Sequence, residues 1–217
     1  MELNTAERFL FMIMHPEKSR YLIPEANIHS GLFGAILVDL SMEGKIEFKD
    51  KKVSAKSPYS KISNAHNLLL SKIAQSKRKK RIKTWISGLA WKSQKYRHLI
   101  LHDLAMKGKI RIEEKRFLIF PYKRAYLIDR RGQQMIREEI LEAIMNRQAL
   151  NSDLLAILGL VDACKIHKVL TKDKKTLKLV KQNIKGLVGE DVLAAEVHQV
   201  IQEMQAAAVA VSVATHG

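Results

Sequence analysis

Between Ser30 and Glu43, Leu32, Ile36 and Leu40 form one stripe at helical spacing, and Phe33, Leu37 and Val38 widen it. A stripe that wide predicts a helix buried around most of its circumference. The period then changes. Ile46 and Phe48 alternate with charges, a charged turn covers Lys49 to Lys52, and a return strand is expected near Val53 to Ala55. The same succession recurs with a helix from about Lys92 to Lys107, Ile110 and Ile112 alternating with charges, a turn at Glu113 to Arg116 and a return strand at Phe117 to Phe120. Shorter apolar patterns predict helices over Phe9 to Met14 with Thr5 as cap, over Asn64 to Ala74 with Leu68, Leu69 and Ile73 inward, and over Trp85 to Leu89 with Thr84 as cap. Three more helices are expected at Gly132 to Met145, Ser152 to Leu170 and Asp191 to about Val211, while Phe120 to Asp129 reads as extended and exposed. The fold class is mainly α: one helical-bundle domain over 1–217 with two small β-hairpins.

The two successions are copies of one another. Leu37 to Lys51 reads LVDLSMEGKIEFKDK, Leu101 to Lys115 reads LHDLAMKGKIRIEEK, and eight of fifteen positions are identical. With the hairpins included, the repeat spans 37–55 and 101–119. Gly44 and Gly108 stand where a helix ends and a strand begins, so both are expected to take the left-handed C-cap conformation. Two copies predict a pseudo-symmetric domain rather than a solenoid. Helix, glycine, strand, turn, strand suits two jobs: a winged-helix reader of nucleic acid, or a scaffold holding a basic face to a membrane.

Composition narrows the classes. Hydrophobic residues make up 47% of the 217, which predicts a globular chain with a real core. The net charge is +16. Residues 141–217 hold nine Lys/Arg against eight Asp/Glu, so +15 falls within the first 140. A basic body of this kind attracts polyanions, whether nucleic acid or anionic lipid. The one cysteine, Cys164, fits a reducing compartment. No signal peptide is read at the N-terminus, and the longest apolar run, Ala206 to Ala214, is half of what a bilayer requires, so a cytoplasmic protein peripheral to a membrane is expected.

The sharpest chemical signal is Lys77, Arg78, Lys79, Lys80, Arg81 and Lys83, six cations in seven residues. Such a cluster attracts anionic lipid by about 1 kcal/mol per cation near the surface. Trp85 and Trp91 follow, and tryptophan favours the lipid–water interface. The nucleic-acid alternative uses the face Lys92, Gln94, Lys95, Arg97 and His98 of the second copy; the first copy is almost wholly apolar there. Enzyme signals are weak. His98 and His102 lack a third metal ligand, Cys164 and His167 on an apolar helix read as core, and Gly31 and Gly34 read as close helix packing. No cofactor or metal is expected, and the chain is read as a binding protein rather than an enzyme.

His15-Pro-Glu-Lys, the run Ser30-Gly-Leu-Phe-Gly-Ala-Ile-Leu-Val-Asp-Leu, Gly44-Lys-Ile-Glu, Trp85-Ile86, Leu104 to Ile110 and Phe117-Leu-Ile-Phe120 together resemble the Golgi phosphoprotein 3 family, in consistent order over most of the chain. The short lead-in is closer to the family's bacterial relatives than to its Golgi members. The resemblance implies a mostly helical peripheral membrane protein that binds phosphatidylinositol 4-phosphate and the cytosolic tails of membrane proteins, and that self-associates. The family's phosphoinositide pocket, one Trp and three Arg, falls here on Pro24, Phe33, Gln94 and Arg97. Only Arg97 keeps its type, with Lys95 beside it, so the resemblance implies attraction to anionic membranes rather than an arginine fork. The family's oligomerising hairpin corresponds to about Phe120 to Asp129 and carries Tyr122, Lys123, Arg124 and Tyr126.

Overall fold

A computed structural model describes residues 2–50, 52–117, 120–146 and 151–189. The elements run α1 (Thr5–Ile13), α2 (Glu25–Met42), β1 (Ile46–Lys49), β2 (Lys52–Ala55), α3 (Asn64–Ala74), β3 (Lys80–Arg81), α4 (Ile82–Gly88), α5 (Ser93–Met106), β4 (Ile110–Phe117), β5 (Phe120–Leu127), α6 (Arg130–Asn146), α7 (Ser152–Ala163) and α8 (Lys174–Gly189). Short 3-10 turns lie between α4 and α5, at Ala90–Lys92, and between α7 and α8, at His167–Val169. The protein is mainly α with small antiparallel strand pairs, as the hydrophobic pattern predicts.

Helix α1 is the centre. Phe9, Leu10, Phe11, Met12 and Ile13 are all inaccessible to solvent, so α2, α5, α6 and α7 pack around it on every side. Gly31 of α2 lies against the Phe9 ring so closely that a β-carbon there would stand 2.0 Å from it, which accounts for that glycine by packing. A helix sealed from water must satisfy its terminal backbone groups with protein. At the N-terminus, Asn4 and Glu7 form a capping box, and both oxygens of Asp39 accept from the Thr5 and Ala6 N–H groups at 2.9 and 3.0 Å. Thr5, the cap expected from sequence, is the first helical residue instead. At the C-terminus, Gln133 Nε2 donates to the carbonyls of Phe11 and Met14, and Arg137 donates to that of Met12.

The two copies end their helices identically. Gly44 has φ 70° and Gly108 has φ 68°. In the first, the Gly44 N–H donates to Ser41 O and the Lys45 N–H to Leu40 O; in the second, Gly108 donates to Ala105 O and Lys109 to Leu104 O. Each is a Schellman motif, which accounts for Gly-Lys in both copies.

Several boundaries differ from expectation. Helix α2 starts directly after Pro24, five residues before Ser30, because Pro24 supplies a preset N-cap dihedral. Helix α4 starts at Ile82 and makes no side-chain cap with Thr84. The second hairpin is twice as long as the first. Glu113 to Arg116 is strand rather than turn, and the return strand is Phe120–Leu127 rather than Phe117 to Phe120. Its register runs from Ile110↔Leu127 to Phe117↔Phe120. The first hairpin stays at four residues a strand, turning through Asp50 at φ 54°, and gains a third strand, β3, from within the basic run. Helix α7 ends at Ala163 rather than Leu170, since the chain turns left-handed at Lys165. Helix α8 lies in a Lys-rich segment where no helix is expected from the sequence; Val180 and Ile184 are its buried side. The helix expected at Asp191 to about Val211 lies outside the described residues.

Candidate anion-binding surface

The basic run occupies the edge of the three-stranded sheet and the lead into α4. Lys77, Arg78, Lys79, Lys80, Arg81 and Lys83 are all exposed. Among them only Lys79 has a carboxylate within 4.0 Å in the described residues, that of Glu47. Lys80 and Arg81 pair with Val53 and Lys52, so backbone hydrogen bonds fix this part of the run. The Lys80 and Arg81 side chains project from an edge strand, a position where cations also discourage pairing with other chains.

Trp85 does not belong to that surface. It is 7% exposed and packs in the core with Ile82, Ile86 and Leu89. The expectation that Trp85 meets the membrane is corrected by this burial. The accessible indole is that of Trp91, 77% exposed in the 3-10 turn before α5. Its Nε1 donates to Gly88 O at 3.2 Å, and the Lys92 ammonium sits 4.1 Å from its ring centroid. Lys80 covers the outer edge of Trp85 at 5.0 Å.

Of the positions that align with the family pocket, Arg97 and Phe33 already have partners within the chain. Arg97, only 13% exposed in its side chain, donates from Nη1 to Glu25 Oε1 at 2.6 Å and lies 5.3 Å from the Tyr21 ring centroid. Burial in this cluster pushes the Tyr21 phenol up to about 12. Phe33 is buried, with edge contacts to His29 at 5.0 Å and Tyr96 at 4.7 Å. Pro24 caps α2 and Gln94 is exposed on α5. An internal carboxylate thus holds the one arginine that a phosphate would need. Lys95, two residues away, is exposed.

Lys72 is the cation that sequence reading passed over, and it lies within the charge field of Lys92 and Lys95. Lys72, in the last turn of α3, has its ammonium held below the ordinary lysine range, first by burial and then by the charges of Lys92 and Lys95. A charge crowded only by like charges is one that an anion would stabilise. Their separation in sequence, twenty residues, hides the grouping.

The second hairpin is a ribbon with its own chemistry. Tyr122, Arg124 and Tyr126 share one face with Arg111, Glu113 and Lys115 across the register. Arg111 and Lys115 lie 5.8 and 5.7 Å from the Tyr126 ring centroid, and Arg124 lies 5.3 Å from that of Tyr122. Lys123 is on the opposite face, paired with Glu114 at 3.2 Å. So three of the four expected hairpin residues act together.

One succession of buried polar groups has the order serine, histidine, aspartate. Ser63 Oγ lies 2.8 Å from His66 Nδ1, and His66 Nε2 lies 2.9 Å from Asp39 Oδ2. Yet His66 is wholly buried and Ser63 Oγ caps α3 by accepting from the Ala65 N–H, so the chain of groups ties α1, α2 and α3 together. The Cys164 thiol is fully buried, which pushes it up to about 12 and leaves it unreactive at neutral pH. Among the described residues, no three His, Cys, Asp or Glu side chains gather as a metal site, and no helix is long and apolar enough to cross a membrane.

A search of curated proteins finds no match to the chain. The family model described as Golgi phosphoprotein 3 (GPP34) matches residues 6–204, nearly the whole sequence and every element described above. The chain belongs to the Golgi phosphoprotein 3 family.

Proposed function

We propose that this protein is an adaptor that sits peripherally on anionic membranes, docking through the basic edge Lys77 to Lys83. The observation that carries this reading is that six exposed cations share one carboxylate among the described residues. At about 1 kcal/mol per cation near an anionic surface, the cluster supplies on the order of 4–6 kcal/mol, enough for reversible docking. Trp91 provides the aromatic anchor. Family membership supports a lipid and adaptor role in general terms. The ribbon β4–β5 is where a second copy or the tail of a membrane-protein client would bind, since among the described residues neither of its edges is joined by a further strand. In this reading the chain stays in the cytoplasm and does no catalysis.

The test is co-sedimentation with neutral and anionic vesicles at physiological salt, with duplex DNA as competitor. Wild-type protein is expected to pellet only with anionic vesicles and to resist DNA. Changing Lys79, Lys80 and Arg81 together to Glu should abolish pelleting while circular dichroism stays unchanged. Arg97→Ala should alter it by less than about twofold, because a guanidinium paired with Glu25 has little left to offer lipid. Loss of vesicle binding to the DNA competitor would instead assign the basic surface to nucleic acid, whose affinity would fall steeply with salt.

A further inference from the structure

Residues 165–185 hold eight lysines against one acidic residue, Asp173. That aspartate is committed to the start of α8, where it accepts from the Thr176 N–H and hydroxyl. Four of the eight lysines, Lys165, Lys178, Lys181 and Lys185, line one groove of about 570 Å³ between the end of α7 and helix α8. None of Lys77 to Lys83 lines it, nor does any position that aligns with the family pocket. Lys178, Lys181 and Lys185 stand at i, i+3 and i+7, so they share one face of α8. Val180 and Ile184 are buried on another side of the helix, and Asn183 Nδ2 donates to Ile144 O at 3.1 Å, so the lysine face is held in place. The opposite wall is fixed too. Asn27 Nδ2 donates to Cys164 O at 2.6 Å, and the buried His167 has Nε2 3.1 Å from Asp162 Oδ1. Asp162 is the one carboxylate in the lining, and it is engaged by that imidazole. Among the described residues none of the four lysines has a carboxylate within 4.0 Å. Lys165 adds a backbone signal. Its φ of 53° lies in the left-handed region, where glycine stands without strain. A strained residue whose side chain lines a groove and makes no ion pair within the described chain points to a role outside the fold.

We propose that this groove binds a soluble oligophosphate chain, as carried by a nucleoside triphosphate or by inorganic tripolyphosphate, with Lys165 on one wall and Lys178, Lys181 and Lys185 on the other. Charge density selects this class. Four lysines against one carboxylate leave a surplus of three positive charges in a single groove. An extended acidic peptide presents a carboxylate to one face only about every 7 Å, so a groove of this size admits about two. A chain of three phosphates concentrates roughly four negative charges and a dense set of strong acceptor oxygens in the same space. Lysines hold such a chain as point charges, without the fork of an arginine. The volume also lies within the range of small-molecule sites. Binding here is independent of membrane docking, because the basic edge contributes no side chain to the groove.

The experiment titrates ATP, inorganic tripolyphosphate and AMP into the full-length chain by calorimetry, at physiological salt and without divalent cations. The two triphosphates are expected to bind about tenfold more tightly than AMP, from the added charge-assisted hydrogen bonds. Tripolyphosphate binding as tightly as ATP assigns the groove to the phosphate chain alone, and tighter ATP adds recognition of the nucleoside. Lys178→Gln combined with Lys181→Gln should lower both affinities about a hundredfold. Lys165→Gly should lower them about tenfold while the melting temperature does not fall, a pairing that misfolding cannot give. Lys61→Gln removes one charge from an exposed lysine outside the groove and should leave both affinities within about twofold. No saturable binding of either triphosphate would overturn the site, as would AMP binding as tightly as ATP. So would an affinity that survives the Lys178 and Lys181 pair of changes or Lys165→Gly. A loss with Lys61→Gln equal to that with Lys165→Gly would overturn it as well, since net charge alone would then account for binding.

Discussion

Two copies of one fifteen-residue sequence give the same helix end and different surroundings. In the first copy Asp39 is buried and accepts three hydrogen bonds, from the Thr5 and Ala6 N–H groups and from His66 Nε2. In the second, its counterpart Asp103 keeps Oδ2 buried without a partner and places Oδ1 3.9 Å from His102 Nδ1. The first hairpin is short and is joined by β3; the second is an eight-residue ribbon that pairs with no other strand among the described residues. Identity in sequence therefore fixes the local device, the glycine cap and the strand that follows. The tertiary role of each copy is set by what the rest of the chain brings to it. The first copy has become scaffold and the second carries a free surface.

The strongest way to break that contrast is at the paired aspartates. Asp39→Ala would leave two backbone N–H groups of the central helix and a buried histidine unpaired, at a cost of about 3–5 kcal/mol. Asp103→Ala, which removes a carboxylate with no close partner, should cost less than about 1 kcal/mol. Urea denaturation of the two variants measures both. Equal losses would mean that the copies carry the same load, and the division into scaffold and surface would fail.

The glycine caps should show the opposite, equal effects. Gly44 and Gly108 have the same dihedral and nothing within 4 Å of where a β-carbon would stand, so only backbone strain enters. Gly44→Ala and Gly108→Ala are each expected to cost about 1–2 kcal/mol, the price of placing an L-residue in the left-handed region. A difference above roughly 1 kcal/mol between them would show that the surroundings act on the cap as well.

A smaller, pH-dependent effect distinguishes the roots of the two hairpins. The lysine after each glycine is shared, but Lys109 pairs with Asp129 at 2.6 Å while Lys45 approaches Glu43 only to 3.9 Å. The Lys109 hydrogen bond, with that of the Gly132 N–H, holds the Asp129 carboxyl below the usual carboxylate range. Its folded pKa is thus lower than its unfolded one, so its contribution is present above about pH 4 and is lost as pH falls through that range. Asp129→Asn keeps a competent helix cap for α6 and should cost less than about 1 kcal/mol at pH 7. It should also flatten the fall in melting temperature between about pH 4 and 2. An unchanged slope would mean that other carboxyls carry the acid sensitivity.

These contrasts also explain which parts of the molecule were legible in the sequence. The caps were, because only glycine suits a left-handed helix end and both glycines precede an alternating strand. The buried α2 was, because its apolar stripe is wide. The long ribbon was not: β4 and β5 expose polar residues on both faces, so Glu113 to Arg116 shows no contrast of period two and reads as a turn. Helix α8 was missed because its lysines mask two buried contacts, Val180 and Ile184. In the site, the exposed run Lys77 to Lys83 could be read directly. That Trp85 is core and Trp91 is surface could not, since the 3-10 turn between α4 and α5 breaks the periodicity that would sort them. Nor could the nearness of Lys72 on α3 to the charge of Lys92, which stands in the 3-10 turn before α5.

The same helix end occurs a third time, without glycine. Helix α7 closes with the Lys165 N–H donating to Asp162 O and the Ile166 N–H to Val161 O, both at 3.0 Å, the pattern seen after Gly44 and Gly108. Here the left-handed position is held by Lys165 at φ 53°. Its side chain is exposed and makes no ion pair among the described residues. The strain of a lysine in that region is about 1 kcal/mol, and glycine's larger unfolded-state entropy offsets part of it. Lys165→Gly is therefore expected to raise stability by about 0.5 kcal/mol, the one substitution in this set with a favourable sign. Thermal unfolding against Gly44→Ala measures both directions of a single effect. If Lys165→Gly destabilises instead, the lysine side chain contributes to closing α7 onto α8, and the helix end alone does not account for the turn.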